Sequence, residues 1–311
     1  MTFQLKDSGR RRHSPKAASA QARGTRGLGA LCILATLACL SGLAATYFFF
    51  VRTTTGQFID ESALVEAVAI HGPAGKAATE FLDWLPTISL VVAAVVVLFV
   101  TVIRRRWASA GIALAACVGA NVATQVLKEL LPARPFRGVE TLELNSLPSG
   151  HTTLAASAAA AVFLMASPRW RPFAGFVGGS FAIVSGVSTL VNQWHRPSDV
   201  VAAFLLVGAF VIPAGWLIIR KGSAWNVWDG FGSHWASSRW WLGLPVLIGL
   251  ASAAVAVYSL AKIAPGPGQE GSTTNYFWAG ISLIVIAGYL ATVAATSLFA
   301  FGARRRVPAG R

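Results

Sequence analysis

Eight long apolar runs constrain the fold of this chain more than any other feature. A helix needs about 20 residues to cross a bilayer, and the mean hydropathy of +0.60 with only 12% charged residues is too apolar for a soluble domain of this size. The sequence therefore predicts an all-α polytopic membrane protein. The expected spans are roughly residues 29–51, 84–103, 108–130, 151–166, 173–194, 200–219, 240–260 and 277–301.

The distribution of charge predicts the orientation. With the N-terminus in the cytoplasm, most of the 26 Lys and Arg residues fall on the cytoplasmic side and most of the 12 Asp and Glu residues on the other. The positive-inside rule then gives N-in and C-in ends in the cytoplasmic membrane. Because orientation accounts for the net charge of +14, we expect no nucleic-acid partner, and Arg10–Arg12 are better placed to contact anionic lipid.

Composition divides the chain into five parts. Residues 1–27 are predicted to be a disordered basic cytoplasmic arm and 28–220 a membrane bundle, followed by a Trp-rich cytoplasmic connector over 221–239. The last two spans, 240–302, are expected to be a peripheral appendage, and 303–311 a basic tail. Between the first two spans, acidic and apolar residues around Glu61–Ile70 indicate a short amphipathic helix resting on the outer leaflet.

Three polar segments fall on the same, extracytoplasmic side by this charge count. They supply cations, a helix N-terminus and two histidines, which are the groups that phosphoryl transfer from an ester requires. The convergence suggests phosphate chemistry at a membrane surface. The segments are Lys128–Arg137, Ser146–Thr153 and Asn192–Asp199.

The second segment contains Pro148-Ser149-Gly150-His151 at the start of a predicted helix. Free backbone N–H groups and the helix dipole favour an anion there, and Gly150 lets the backbone approach a phosphate closely. His151 is then well placed as a general acid. The alternative is an ordinary helix N-cap beside a structural histidine.

In the third segment, His195 and Asp199 are four residues apart, which places them on one face of a helix. An aspartate beside an imidazole fixes its tautomer and stabilises the cation formed when the other ring nitrogen attacks phosphorus. Pro197 is expected in the first turn of the sixth span. The alternative is a surface ion pair with Ser198 or Asp199 as a helix cap.

Together these motifs resemble the type 2 phosphatidic acid phosphatase superfamily of integral membrane lipid phosphate phosphatases, in an actinobacterial-like variant, over about residues 110–215. The resemblance implies a six-helix bundle, followed here by two further helices. It also implies that His195 forms a phosphohistidine, His151 protonates the leaving alkoxide and Asp199 orients His195. The implied ligands of the phosphoryl oxygens are Lys128, Arg134, Ser149 and Gly150.

Two departures from the family pattern concern arginine. Arg134 follows Lys128 by six residues where the family usually has seven, and Thr189 stands after Ser188 where the family has an arginine. A lost bidentate guanidinium contact should weaken binding of the phosphoryl group. Arg137 and Arg196, on the same side of the membrane, are our candidate substitutes.

The resulting expectation is metal-independent hydrolysis of a lipid phosphate at the outer membrane face, without a cofactor. Phosphatidic acid, phosphatidylglycerol phosphate and polyprenyl pyrophosphate all fit, and carrier-lipid recycling in bacteria favours the last. Alternatives are a lipid phosphotransferase and, because of Thr189, a catalytically silent lipid-binding or transport protein. A proton-coupled transporter is disfavoured by the scarcity of ionisable residues near mid-bilayer. The oligomeric state is left open.

Overall fold

The computed structural model describes residues 15–140, 145–221, 226–263 and 274–305. Within these ranges the chain is almost entirely helical, and a two-residue parallel bridge pairs Val227–Trp228 with Arg304–Arg305. The helices are α1 (Pro15–Thr46, continued by a π-helical turn Tyr47–Val51), α2 (Thr54–Glu66), α3 (Val68–Arg104), α4 (Trp107–Leu130), α5 (Gly150–Met165), α6 (Arg171–Val191), α7 (Pro197–Lys221), α8 (Trp240–Ile263) and α9 (Asn275–Phe301).

Seven of the described helices are long and apolar enough to cross a membrane, and α5 is a shorter apolar helix of 16 residues. The predicted all-α polytopic architecture is confirmed. Helix α5 begins directly after Pro148-Ser149, and Pro168 follows its end, so turn residues limit its length at both ends. At 1.5 Å per residue it rises about 24 Å.

Small residues allow the helices at the centre of the bundle to approach closely. A Cβ atom at Gly186 of α6 would lie 2.4 Å from a Val200 methyl on α7, and one at Gly215 would lie 2.2 Å from the Phe299 ring on α9. Such contacts are typical of helix packing in membranes, where van der Waals contact replaces the hydrophobic effect. The core is therefore formed chiefly by α5, α6, α7 and α9.

The last two helices differ from the predicted peripheral appendage. Phe277 and Ile284 of α9 are 1% and 0% exposed and lie in one apolar cluster with residues of α5, α6 and α7. Only α8 is peripheral, because its mostly exposed apolar side chains pack mainly against α9. The two helices could not be distinguished in the sequence, because both are apolar around their whole circumference.

Two boundaries near the N-terminus also differ from expectation. Helix α1 begins at Pro15 inside the predicted disordered arm, because residues 16–22 are rich in alanine and other helix formers. Residues 1–14 and the tail 306–311 lie outside the described residues. The expected Glu61–Ile70 helix is instead the end of α2 and the start of α3. Asp60 and Glu66 of α2 accept from the Ser198 N–H at the start of α7 and the Phe277 N–H at the start of α9.

Candidate active site

The three polar segments meet at one end of the bundle. The C-terminus of α4, the N-terminus of α5 and the turn from α6 to α7 lie together there, and the backbone N–H of Ser149 donates to the carbonyl oxygen of Asp199 at 2.9 Å. This bond joins the start of α5 directly to the start of α7. The structure thus brings together segments about 50 residues apart in the chain.

A ladder of polar contacts sets the register of α4 against α5. The Asn121 Nδ2 donates to Ser157 Oγ at 2.9 Å, and one turn later the Thr124 hydroxyl donates to Thr153 Oγ1 at 3.0 Å. The next turn brings Lys128 to the N-terminus of α5. A Cβ atom added at Gly150 would lie 3.9 Å from Lys128 Nζ and within 4 Å of no other side chain. The first turn of α5 therefore faces open space beside an ammonium group.

Ser149 is the N-cap of α5. Its hydroxyl oxygen accepts from the Thr152 N–H at 3.4 Å, and the residue is fully buried. The structure therefore supports the ordinary capping role for this side chain. Its hydroxyl proton remains able to donate, so the expected phosphate contact stays a prediction.

His195 and Asp199 form a buried pair. The His195 Nδ1 lies 3.2 Å from Asp199 Oδ2, and the two side chains are 11% and 0% exposed. A hydrogen on Nδ1 can donate to the carboxylate, which leaves the lone pair on Nε2 as the reactive position. The alternative of a surface ion pair is wrong, because the carboxylate is inside the protein.

Three further groups hold the Asp199 carboxylate. Its Oδ2 accepts from the Ser146 hydroxyl at 2.7 Å and from the Arg196 backbone N–H at 3.0 Å, and its Oδ1 lies 3.8 Å from Arg134 Nη2. A carboxylate fixed by this many partners can orient an imidazole rigidly. Arg134 therefore contacts the carboxylate behind His195, and its Nε and Nη1 have no hydrogen-bond partner among the described residues.

The groups around the Asp199 carboxylate form a polar cluster with His195, Ser146, Arg134 and Arg196. Helix α2 contributes further side chains to this cluster, which the sequence analysis missed. Gln57 donates to the carbonyl of Pro135 at 2.9 Å, and Asp60 lies 3.4 Å from Arg134 Nη2. Asp60 also accepts from the backbone N–H and the hydroxyl of Ser198, at 3.0 and 2.6 Å, so it caps α7 from another helix. Burial, followed by repulsion from Asp199, raises the pKa of Asp60 to about 6.

A pattern in the sequence could have revealed this face of α2. Gln57, Asp60 and Glu61 have the i, i+3, i+4 spacing of one helix face. The first two are 0% and 1% exposed, although they are polar. Buried polar residues require partners, and here those partners are the residues of the site.

Arg137 and Arg196 were expected to replace the guanidinium group that the family has at the position of Thr189. They lie in different surroundings. Arg196 is buried, with its Nε 2.6 Å from Glu61 Oε2 and its Nη1 donating to Ser146 Oγ at 3.0 Å. Arg137 is exposed in the loop after α4 and makes no hydrogen bond or ion pair with the described residues. The structure therefore places Arg196 in the cluster, bound to Glu61, and does not bring Arg137 into it.

Substitution of each arginine by alanine should show which of the two contributes to turnover. We expect Arg196→Ala to lower turnover by about 10-fold or more, because it removes contacts to Ser146 and Glu61 that fix the surroundings of Asp199. Arg137→Ala should leave turnover within about twofold, as for a surface substitution. Initial rates of phosphate release measure both. Near wild-type rates in Arg196→Ala would contradict a role for its side chain.

Thr189 does not replace the family arginine. It is fully buried, and its hydroxyl donates to the carbonyl of Gly186 one turn earlier at 2.7 Å. Its own carbonyl accepts from the N–H groups of Trp194 and His195, at 2.9 and 3.2 Å. Thr189 thus shapes the turn that carries His195 instead of offering a cation.

His151 lies in the first turn of α5, facing the α6–α7 turn. Its ring centroid is 5.4 Å from that of Trp194 at an interplanar angle of 41°. It is close enough to His195 and Lys128 to interact with both electrostatically. The structure therefore brings the two sequence-predicted histidines to the same site.

Alanine at Gly150 tests whether the start of α5 binds an anion. The added methyl group meets no atom closer than 3.9 Å, so we expect the folded protein to keep its thermal stability. We also expect KM for a lipid phosphate to rise by about 10-fold or more, because the methyl group would block close approach of the backbone. Steady-state kinetics beside a thermal melt measure both quantities.

Gly111, near the opposite end of α4, is the matched control for this substitution. A Cβ there also meets nothing within 4 Å, so Gly111→Ala should change neither KM nor stability. An unchanged KM in Gly150→Ala would contradict the anion site.

Among the described residues, no group of three or more His, Cys, Asp and Glu side chains is placed to hold a metal ion. The carboxylates of the cluster are instead engaged by cations and hydroxyl groups of the protein. Asp60 contacts Arg134 and Ser198, and Glu61 contacts Arg196.

Comparison with known proteins gives one family. Residues 123–223 match the model of the PAP2 superfamily. This range contains the predicted site residues Lys128, Arg134, Gly150, His151 and His195. No curated protein and no solved structure matches the chain. The family match supports the type 2 phosphatidic acid phosphatase superfamily that the motifs resemble, and with it phosphatase activity on a lipid-type phosphate in a membrane protein.

Proposed function

We propose that this protein hydrolyses a lipid phosphate or polyprenyl pyrophosphate without a metal ion, through a phosphohistidine on His195. The observation that carries the proposal is the buried His195–Asp199 pair at 3.2 Å. A carboxylate on Nδ1 directs the reactive lone pair to Nε2 and stabilises the positive imidazole that forms. The pair is thus suited to act as an oriented nucleophile.

In the first step, His195 Nε2 attacks phosphorus. The new P–N bond forms as the bond from phosphorus to the lipid oxygen breaks, and the proton on His151 passes to that leaving oxygen. Asp199 stabilises the charge on the His195 ring through Nδ1. General-acid assistance of this kind contributes about 10²- to 10⁴-fold.

Positive groups around the open start of α5 would stabilise the phosphoryl oxygens. Lys128 Nζ lies beside Gly150, and the N–H groups of the first turn of α5 have no partner inside their own helix. The Nε and Nη1 of Arg134 are buried and have no hydrogen-bond partner among the described residues, so a phosphoryl oxygen that reached them would find two further donors. Groups fixed before the reaction need little reorganisation as charge develops.

In the second step, water attacks phosphorus and gives a proton to His151. The P–N bond breaks, inorganic phosphate leaves, and His195 returns to its neutral form. An alcohol in place of water would give a phosphotransferase with the same first step. If neither step occurs, the protein is the catalytically silent lipid binder that Thr189 leaves as an alternative.

A lipid substrate is supported by the position of the cluster at the end of apolar helices. A headgroup can reach such a site while its hydrocarbon tail stays in the bilayer. The positive-inside rule supports a site on the extracytoplasmic side of the cytoplasmic membrane. Among the candidate substrates we favour polyprenyl pyrophosphate, on the analogy of carrier-lipid recycling.

Phosphate release from a panel of lipid phosphates tests the proposed function. We expect the purified protein to release phosphate from at least one of phosphatidic acid, phosphatidylglycerol phosphate and polyprenyl pyrophosphate, at the same rate with EDTA as without it. Added acceptor alcohols would reveal a phosphotransferase as phosphorylated alcohol. Loss of activity in EDTA would contradict the mechanism, and binding without release would support the silent alternative.

A further inference from the structure

A concave surface lies towards the other end of the bundle from His195. It is a groove of about 630 Å³ between α3, α5 and α6, and its lining runs from Ile88 to Arg104 on α3 and from Ala158 to Ala166 on α5. On α6 it extends to Phe181. Its volume is within the range of about 300–1,000 Å³ typical of ligand sites.

The groove has the length and surface of a hydrocarbon-chain site. From Ile88 to Arg104, α3 rises about 24 Å, which exceeds the roughly 15 Å depth of one hydrocarbon leaflet. Apart from its mouth, the described lining consists of Val, Ile, Ala, Phe and Gly with two serines, Ser89 and Ser167. A hydrocarbon chain therefore fits its long dimension.

The mouth of the groove is basic. Arg104 at the end of α3 and Arg169 just before α6 both line it, together with Trp170, and the described lining includes no acidic residue. Guanidinium groups bind phosphate oxygens in bidentate fashion, and tryptophan prefers the interface between membrane and water. Behind the mouth, Arg171 and Arg106 lie close enough to interact electrostatically, which adds to the positive potential.

We propose that this groove binds a phospholipid with a net negative headgroup. One acyl chain would lie along α3 and its phosphate at Arg104 and Arg169. A zwitterionic headgroup also carries phosphate, but its cationic part would meet the same arginines, and the described lining of the groove offers it no carboxylate. Basic pockets between membrane helices are known to select anionic headgroups in this way.

This lipid is distinct from the substrate. The groove lies along the half of α5 after Ala158, whereas Gly150 and His151 are at the other end of that helix. Lipid in the groove is therefore at the end of the bundle remote from His195. The proposal does not depend on the protein being a phosphatase.

Native mass spectrometry of the full chain from detergent containing phosphatidylglycerol or phosphatidylcholine tests the proposal. We expect wild type to retain phosphatidylglycerol in preference. The double variant Arg104→Gln/Arg169→Gln should bind it at least about tenfold more weakly. Arg239→Gln, an exposed arginine outside the groove, is the matched control and should bind as wild type does.

A second variant tests the acyl-chain part. Ala93→Phe would place a phenyl ring in the lining of the groove and should weaken binding of both lipids, with thermal melts confirming that it folds. Equal retention of the two lipids by wild type, or full retention of phosphatidylglycerol by the double glutamine variant, would overturn the proposal. So would unchanged binding in a folded Ala93→Phe protein.

Discussion

Replacement of His195 by alanine is expected to reduce phosphate release by about 10³-fold or more, because removing the nucleophile of a covalent mechanism closes the whole pathway. The fold should survive. Without the imidazole, the Asp199 carboxylate still accepts from the Ser146 hydroxyl and the Arg196 backbone N–H. Rates measured with the most active lipid phosphate, beside a thermal melt, test this expectation.

Two other histidine variants serve as comparisons for the loss of phosphate release in His195→Ala. His234→Ala removes a histidine that caps a short helix near Trp235, away from the site, and should keep wild-type turnover. His151→Ala should lose about 10²- to 10⁴-fold with a lipid phosphate, but much less with a nitrophenyl phosphate, whose leaving group needs no proton. Undiminished activity in His195→Ala would contradict the proposed mechanism.

Removal of the Asp60 carboxylate should have the largest effect on stability. Asp60→Ala leaves Arg134 without its ion-pair partner and the Ser198 N–H without its acceptor, and both side chains of the ion pair are 0% exposed. Breaking a buried ion pair from one side costs about 3–5 kcal/mol. We therefore expect a clear fall in unfolding temperature in detergent, with activity falling as Arg134 and α7 shift.

Glu80→Ala is the control for this prediction, because Glu80 forms an exposed ion pair with Lys76 on α3. It should change stability by about 1 kcal/mol or less. An unfolding temperature for Asp60→Ala equal to that of Glu80→Ala would contradict the structural role of Asp60.

The Asp60 carboxyl also predicts that the stability of the protein depends on pH. Its pKa is raised from 3.8 to about 6 in the folded protein, so the folded state holds the proton more tightly than the unfolded state. Stability contributed by the protonated carboxyl is then lost as pH rises from about 4 to about 6 and stays lost above that. Relative to Asp60→Asn, which does not titrate, wild type should lose unfolding temperature over this interval. A difference independent of pH would contradict the raised pKa.

Much of this architecture follows from patterns that the sequence displays locally. Apolar runs mark the spans because every backbone group must be satisfied within a helix inside the bilayer. Short motifs such as Pro148–His151 lie at predicted helix ends, and the distribution of Lys and Arg along the chain predicted that they lie on the same side of the membrane. The His195–Asp199 spacing then led to a pair that the structure forms at 3.2 Å.

The parts missed by the sequence analysis depend on tertiary contacts. In the sequence, Asp60 and Glu61 are only acids of the extracytoplasmic segment that contains the predicted amphipathic helix, and only the fold shows that α2 lies against Arg134 and Arg196. The place of α9 in the core was hidden for a different reason, since apolar side chains face lipid and protein alike. Arg137 and Arg196 also looked equivalent in sequence, because distance along the chain does not reveal burial.

The most direct test of the central proposal is the stereochemical course of the reaction at phosphorus. A substrate whose transferred group is made chiral with sulfur and oxygen isotopes would be hydrolysed in isotopically labelled water. Two successive in-line displacements, first by His195 and then by water, predict net retention of configuration. Net inversion would mean a single direct attack by water and would contradict the phosphohistidine.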